Sequence, residues 1–330
     1  INIRGTGSIG SGGGALVLID GVEGDLETVN PQDIASVSVL KDASSAAIYG
    51  ARGAFGVILV TTKSAEEGET KVTYNGSFSL HARTVKPQLV TDGYEWTTGY
   101  INAWNGYYNG QNPLPSYINN IAPYSDSWYK ELARRSTDPS LERVRINDKN
   151  QYEYFANTDW MDAFYKDFNY SHEHNISVSG GNQNADYYVS GRFYDQDGIY
   201  RVGDERYKQY NVRAKGNIRI RPWLRLNNTM DFTVVDYHQP MLYYSLQLPQ
   251  RMIEHGGQPI NPITNPDGTW TYAAVLNGYA GFAEGSSYQQ DDKFTMKDKL
   301  GIEIDVVKDV LKISGDLSYL FARNKRERVT

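Results

Sequence analysis

The sequence contains no cysteine, which removes disulfide frameworks and thiolate metal sites from consideration. It has no run of about 18 apolar residues, so no segment reads as a transmembrane helix, although a β-barrel crosses a bilayer without one. A basic, then apolar, targeting segment is missing from the start. So is any basic arm: 33 Lys and Arg face 39 Asp and Glu, the formal charge is -6, and no nucleic-acid partner is expected.

What is plentiful is tyrosine and glycine, 26 and 31 among 330 residues, in an ordered, β-leaning composition. Gly5, Gly7 and Gly10 satisfy G-x-G-x-x-G, but a dinucleotide loop needs a strand before it and a helix after it. Only four residues precede Gly5, and the apolar run Ala15–Ile19 that follows reads as a strand, so no cofactor is expected. Residues 1–64 combine short strands at 15–19, 36–40 and 56–61 with a helix N-capped by Asp42 and closed at Gly50, a small α+β unit. The acidic stretch 64–69 reads as a linker.

From Thr70 onward the period is two. In Tyr210–Arg221, Val212, Ala214, Ile218 and Ile220 alternate with Arg213, Lys215, Arg219 and Arg221, which predicts that the first set faces lipid and the second a solvated lumen. On that reading Arg213 is dispensable for folding. Strands are expected near 70–80, 174–181, 186–194, 207–220, 223–236, 293–307 and 310–324. They exceed the ~5–6 residues usual in soluble sheets and suit a tilted bilayer crossing. Short links at 181–185, 221–222 and 307–310 alternate with longer ones, as the two ends of an outer-membrane barrel require. Tyr187, Tyr188, Tyr194, Tyr207, Tyr210, Trp223 and Tyr319 fall near strand ends, as interfacial girdles would.

Five ordered motifs, LVLIDGV (16–22), NPQDI (30–34), SVLKDA (38–43), AIYGARG (47–53) and GVILVTTK (56–63), resemble the plug of SusC/RagA-like TonB-dependent outer-membrane transporters. DWMD (159–162), ISVSGG (176–181), YYVS (187–190) and YDQDGI (194–199) resemble the first barrel strands of that family. The resemblance implies an all-β transmembrane barrel of roughly 22 strands, about seven of them here, with an N-terminal α+β plug. It divides the chain into a partial plug, 1–64, and the first part of the barrel with long extracellular loops, 65–330, and makes the chain a fragment whose TonB box and last strands lie elsewhere. It further implies import of a bulky nutrient across the outer membrane of a Gram-negative, Bacteroidetes-like bacterium, with a SusD-like surface lipoprotein, TonB and outer-membrane lipid as partners. The plug loops expected to face the cavity run from Arg4 to Ser8, from Asp20 to Glu23, and through Tyr49 and Arg52, with Arg4, Thr6, Ser8, Glu23, Tyr49 and Arg52 as candidate ligand contacts.

The residues between 81 and 173 form a loop long enough to be functional. Asp92 and Asp159 read as N-caps, the first of a helix through Trp96, Ile101 and Trp104, the second of one carrying Trp160, Phe164 and Phe168. Trp104, Tyr107 and Tyr108 are candidate contacts for sugar rings or peptide side chains. The neighbouring amides favour a neutral oligosaccharide cargo, with short peptides as the alternative. His172 and His174 share a face, but no third ligand is evident, and 195–198 lacks the rest of an EF-hand, so no metal is expected. No nucleophile or paired-carboxylate constellation supports an enzyme. The competing class is a secreted or surface all-β glycan-binding module, whose apolar strand faces would meet in a sealed core.

Overall fold

The computed structural model describes residues 14–41, 47–64, 68–118, 122–241, 253, 256–285, 287–307 and 310–329. The glycines at 5, 7 and 10, Arg4, Thr6, Ser8 and the Asp42 cap lie outside them. In chain order the strands are β1 Leu16–Ile19, β2 Val22–Glu23, β3 Ile34–Leu40, β4 Val57–Thr62, β5 Gly68–Ala82, β6 Tyr117–Ile118, β7 Ala122–Pro123, β8 Val144–Ile146, β9 Tyr152–Tyr154, β10 Phe168–Gly181, β11 Ala185–Asp197, β12 Arg206–Arg221, β13 Leu224–Pro240, β14 Tyr288–Val307 and β15 Leu311–Val329. The helices are α1 Gly93–Tyr107, α2 Asp126–Thr137, α3 Trp160–Phe164, α4 Tyr272–Leu276 and α5 Tyr279–Glu284.

The first sheet has the order β2-β1-β4-β3. Asp20 and Gly21, both at positive φ (49° and 84°), make the two-residue turn that pairs Ile19 with Val22. Ile19, Val29, Ile58 and Val60 are buried on one side of this sheet, Leu18 and Val57 on the other. Gly50 does not close a helix as expected: it is a kink (φ 59°, ψ -145°) inside the 3₁₀ segment Ala47–Gly53, a backbone conformation open to glycine.

The second sheet is an antiparallel wall in the order β15-β14-β13-β12-β11-β10-β5, each long strand pairing with the next. All seven expected strands are present, several residues longer than the periodicity alone delimits. Paired residues form rows across the wall, and one outward row reads Ile176, Gly191, Val212, Phe232, Met296 and Phe321. Toward the long-loop end of that row, β10 still shows Phe168 and Tyr170, whereas β12 changes to Lys208 and Arg206 after Tyr210. Toward the short-turn end the order reverses: β12 adds Ile218 and Ile220, β14 adds Leu300, Ile302 and Ile304, and β10 has only Val178. The apolar band therefore slides along successive strands, the geometry of strands tilted to a membrane. Val212, Ile218, Ile220, Ile176 and Leu317 are exposed, so these faces do not meet in a sealed core.

The longest connections pack together into buried clusters. Ile118, Trp128, Leu132, Phe155 and Ile260 form one buried cluster, and Trp160, Phe164, Ile253, Ala273, Ala274 and Phe282 another. Asp92 caps α1 by accepting the Glu95 N–H at 2.8 Å, and Asp159 caps α3 by accepting that of Asp162 at 2.9 Å. The α3 helix ends at Phe164, though, and Phe168 opens β10 instead, because the backbone of Tyr165 turns extended (φ -115°, ψ 135°) while its N–H still makes the last helical bond to the Met161 carbonyl.

In the full-length protein, Val212→Arg places a charge on the lipid-facing row and is expected to cost about 2–4 kcal/mol if that row lies near the bilayer midplane. Denaturant unfolding from lipid vesicles, with Val212→Leu as control, measures it. A cost equal to the control's contradicts the lipid-facing assignment.

Candidate functional site

The inward face of the wall is polar, and the first sheet sits on it. From β11 come Tyr188 and Ser190, from β12 Gln209, Asn211, Arg213 and Lys215, from β13 Asp231 and Thr233, and from β14 Lys297 and Lys299. Each is an alternate residue of its strand, so strand pairing alone brings Ser190, Arg213, Asp231 and Lys297 into one row.

Arg213 is the centre of the seam. Its side chain is 6% exposed, and its guanidinium reaches Asp231 at 2.6 Å, Asp20 at 3.3 Å and Asp33 at 3.9 Å. Asp33 accepts hydrogen bonds from Tyr188 Oη at 2.8 Å and Ser190 Oγ at 2.7 Å, which satisfies a carboxylate almost wholly removed from water. Asp20 accepts from the N–H of Thr62 at 2.9 Å, tying the Asp-Gly turn to β4, and its carbonyl accepts from Lys299 Nζ at 3.0 Å. Lys297 Nζ and the Ile19 side chain occupy the space where a Cβ on Gly24 would stand, so the missing side chain lets sheet and wall close together. Neutral contacts continue the seam toward the long loops: Asn211 Nδ2 and Thr233 Oγ1 donate to the Thr28 carbonyl at 2.8 and 3.0 Å, and Gln209 Nε2 to that of Glu27 at 3.1 Å.

Three sequence expectations are corrected here. Arg213 is inward as expected but not solvated, because the plug carboxylates cover it. Tyr188, Tyr194 and Tyr207 are inward too: Tyr188 holds Asp33, and Tyr194 and Tyr207 pack on each other with centroids 6.1 Å apart. Tyr187, Tyr210 and Trp223 keep the exposure a girdle needs, whereas Tyr319, though exposed, lies in the middle of β15 and not near its end. Asp20, expected to face the cavity, turns to the wall instead. Glu23 and Arg52 come together at 2.8 Å with both side chains exposed, and Tyr49 packs beside Leu18 and Val57. Trp104 and Tyr108 belong to a stripe on α1 in which Trp96, Tyr100, Trp104 and Tyr108 follow one another with centroids 6.1, 6.3 and 4.7 Å apart. The i, i+4 spacing made that stripe legible in the sequence, but only its last two members were singled out there. Tyr107 projects off it, 80% exposed. His174 Nδ1 meets Tyr74 Oη at 2.7 Å on the outward face. Among the described residues no group of three or more His, Asp and Glu is placed to hold a metal.

Removing Arg213 leaves buried carboxylates facing one another, so Arg213→Ser in the full-length protein is expected to cost about 3–5 kcal/mol. Lys293→Ser, an exposed inward position of β14, is expected to stay within about 0.5 kcal/mol. Urea unfolding reads both, and equal effects would contradict the seam.

Residues 1–57 match the family described as the TonB-dependent Receptor Plug Domain. The chain is 32% identical over 199 residues to a TonB-dependent receptor of Formosa agariphila and 31% identical over 217 residues to the TonB-dependent receptor SusC of Bacteroides thetaiotaomicron. Those alignments cover 60% and 62% of this chain but only 15% and 17% of the relatives, so the chain spans a small part of their length. In fold it is similar to a chain of the RagAB peptide importer in its open-open state, with a TM-score of 0.71 at 23% identity, over 98% of this chain and 36% of that one. With a plug sheet seated on the polar face of an antiparallel wall, and with similarity to SusC in sequence and to RagAB in fold, the chain resembles the SusC/RagA-like TonB-dependent receptors.

Proposed function

We propose that the protein serves TonB-dependent import of a bulky nutrient across the outer membrane of a Gram-negative, Bacteroidetes-like bacterium, together with a SusD-like surface lipoprotein. The observation that carries this reading is the plug sheet held on the polar inner face of the wall: a lumen filled by a separately folded sheet serves gated passage, not open diffusion. Residues 1–64 act as plug and 65–330 as the first part of the barrel, with the short turns periplasmic and the connections 83–167, 198–205 and 241–287 extracellular. No step here requires catalysis or a cofactor.

The favoured cargo is a neutral oligosaccharide, with short peptides as the alternative. Trp104, Tyr107 and Tyr108 offer ring faces on an extracellular helix, and the indole N–H of Trp104 has no acceptor among the described residues. Arg4, Thr6, Ser8, Glu23, Tyr49 and Arg52 are the plug contacts of the same reading.

The test uses the full-length transporter with its lipoprotein partner. Uptake of labelled oligosaccharide is expected to vanish when TonB is deleted, and Trp104→Ala or Tyr108→Ala is expected to weaken calorimetric binding of the cargo by about tenfold, the scale of one lost aromatic contact. Uptake that persists without TonB overturns the transport reading. Binding confined to peptides overturns the cargo alone.

A further inference from the structure

The apolar band on the outward face of the wall ends at a definite row. Tyr210, Val234 and Phe294 pair across β12, β13 and β14, and the next outward row toward the long connections reads Lys208, Asp236 and Asp292. These residues alternate with Gln209, Val235 and Lys293, which point to the plug side, so the charged row looks away from the lumen. It stands where hydrocarbon gives way to headgroups.

The fold leaves these charges without counter-ions. Asp236 and Asp292 stand directly opposite each other on adjacent strands, an arrangement that destabilises a sheet unless a positive charge joins them. Both accept from one neutral amide, Gln290 Nε2, at 2.6 and 2.8 Å, and neither makes an ion pair among the described residues. Lys208 makes none either, although the register sets it between Asp195 and Asp236. Asp195 is already engaged. It is 5% exposed and grips Arg206, one outward position beyond Lys208, through Nε at 2.9 Å and Nη2 at 2.6 Å. That two-point grip fixes the guanidinium and leaves its Nη1 without an acceptor among the described residues. Two cations on β12 therefore stand beside two carboxylates on β13 and β14, with strands about 4.8 Å apart.

We propose that this row holds the headgroup of a membrane lipid in which a phosphate is joined by a short linker to a primary ammonium. The phosphate meets Lys208 and Arg206 Nη1, the ammonium bridges Asp236 and Asp292, and the acyl chains lie over Tyr210, Val234 and Phe294. A metal cation alone would serve the carboxylates and leave the two cations unpaired, and an anionic headgroup alone would do the reverse. Only a group carrying both signs, spaced like neighbouring strands, satisfies all four. A primary ammonium also brings three N–H donors to the two carboxylates, which a quaternary one lacks. The site depends on the lipid-facing assignment of the wall, which the Val212→Arg measurement tests separately, and goes beyond the import reading, since it holds whatever passes the plug.

Native mass spectrometry of the full-length protein in detergent micelles tests it without reference to transport. The probes are palmitoyl-oleoyl phosphatidylethanolamine, phosphatidylcholine and phosphatidylglycerol in equal amounts, with soluble phosphoethanolamine as competitor. The wild-type protein is expected to retain phosphatidylethanolamine about tenfold over either other lipid, the scale of one hydrogen bond to a charged group. Asp236→Asn combined with Asp292→Asn is expected to lower phosphatidylethanolamine to the level of phosphatidylglycerol. Lys208→Gln is expected to weaken all three lipids together, and Lys293→Gln, on the inward face, to change none. Equal retention of the three lipids by the wild type overturns the proposal without recourse to any variant. So does a preference that survives the double substitution in a protein still showing the heat-dependent gel shift of a folded barrel. Displacement of the lipid by soluble phosphoethanolamine at equal concentration would assign the row to a free solute and overturn it as well.

Discussion

A guanidinium taken out of water must be paired, and most of what is specific in this structure follows from how Arg213 meets that requirement. One of its carboxylates, Asp231, comes from the neighbouring strand, while Asp20 and Asp33 come from the plug. The plug can therefore sit on the wall in one register only, since a shift that moved Asp20 or Asp33 away would leave charges buried without partners. Other features support that seating. Tyr188 and Ser190 complete the shell of Asp33, Lys299 takes the carbonyl of the Asp-Gly turn, and Gly24 leaves room for Lys297. The seam combines charge with neutral hydrogen bonds at Glu27 and Thr28, so it closes on polar contacts while the plug's apolar residues are used inside its own sheet.

The same strands must satisfy a second solvent on their other face. A period of two lets a single strand present Arg213 to the plug and Val212 to lipid, with no residue serving both. The sliding of the apolar band across the wall shows that the two faces are set independently: inward polarity follows the plug, and outward polarity follows the membrane plane, which tilted strands cross at changing residue positions.

Much of this was legible in the sequence. Alternation located all seven wall strands, and Asp92 and Asp159 marked their helices through a local capping rule that needs no tertiary information. Alternation also identified the face of Arg213, but not what covers it, because a period reports orientation and the covering carboxylate of Asp20 lies 193 residues away in sequence. Tyr188 was misplaced for the same reason: its position near a strand end resembles a girdle residue until Asp33 is found opposite it. The helix α2 and the β8–β9 hairpin, hidden within the long connection, were not anticipated; their amphipathic patterns are short and the core they share with Ile260 is assembled from a distant segment.

Plug and wall are coupled through buried charge. A double-mutant cycle between Asp20→Asn and Arg213→Gln, measured by urea unfolding of the full-length protein in lipid vesicles, isolates that coupling, and Asn tolerates the positive φ of Asp20. The expected coupling energy is about 1–3 kcal/mol, as for residues sharing one ion-pair network. Two single effects that simply add, to within about 0.5 kcal/mol, would mean that Asp20 and Arg213 act independently and would contradict it.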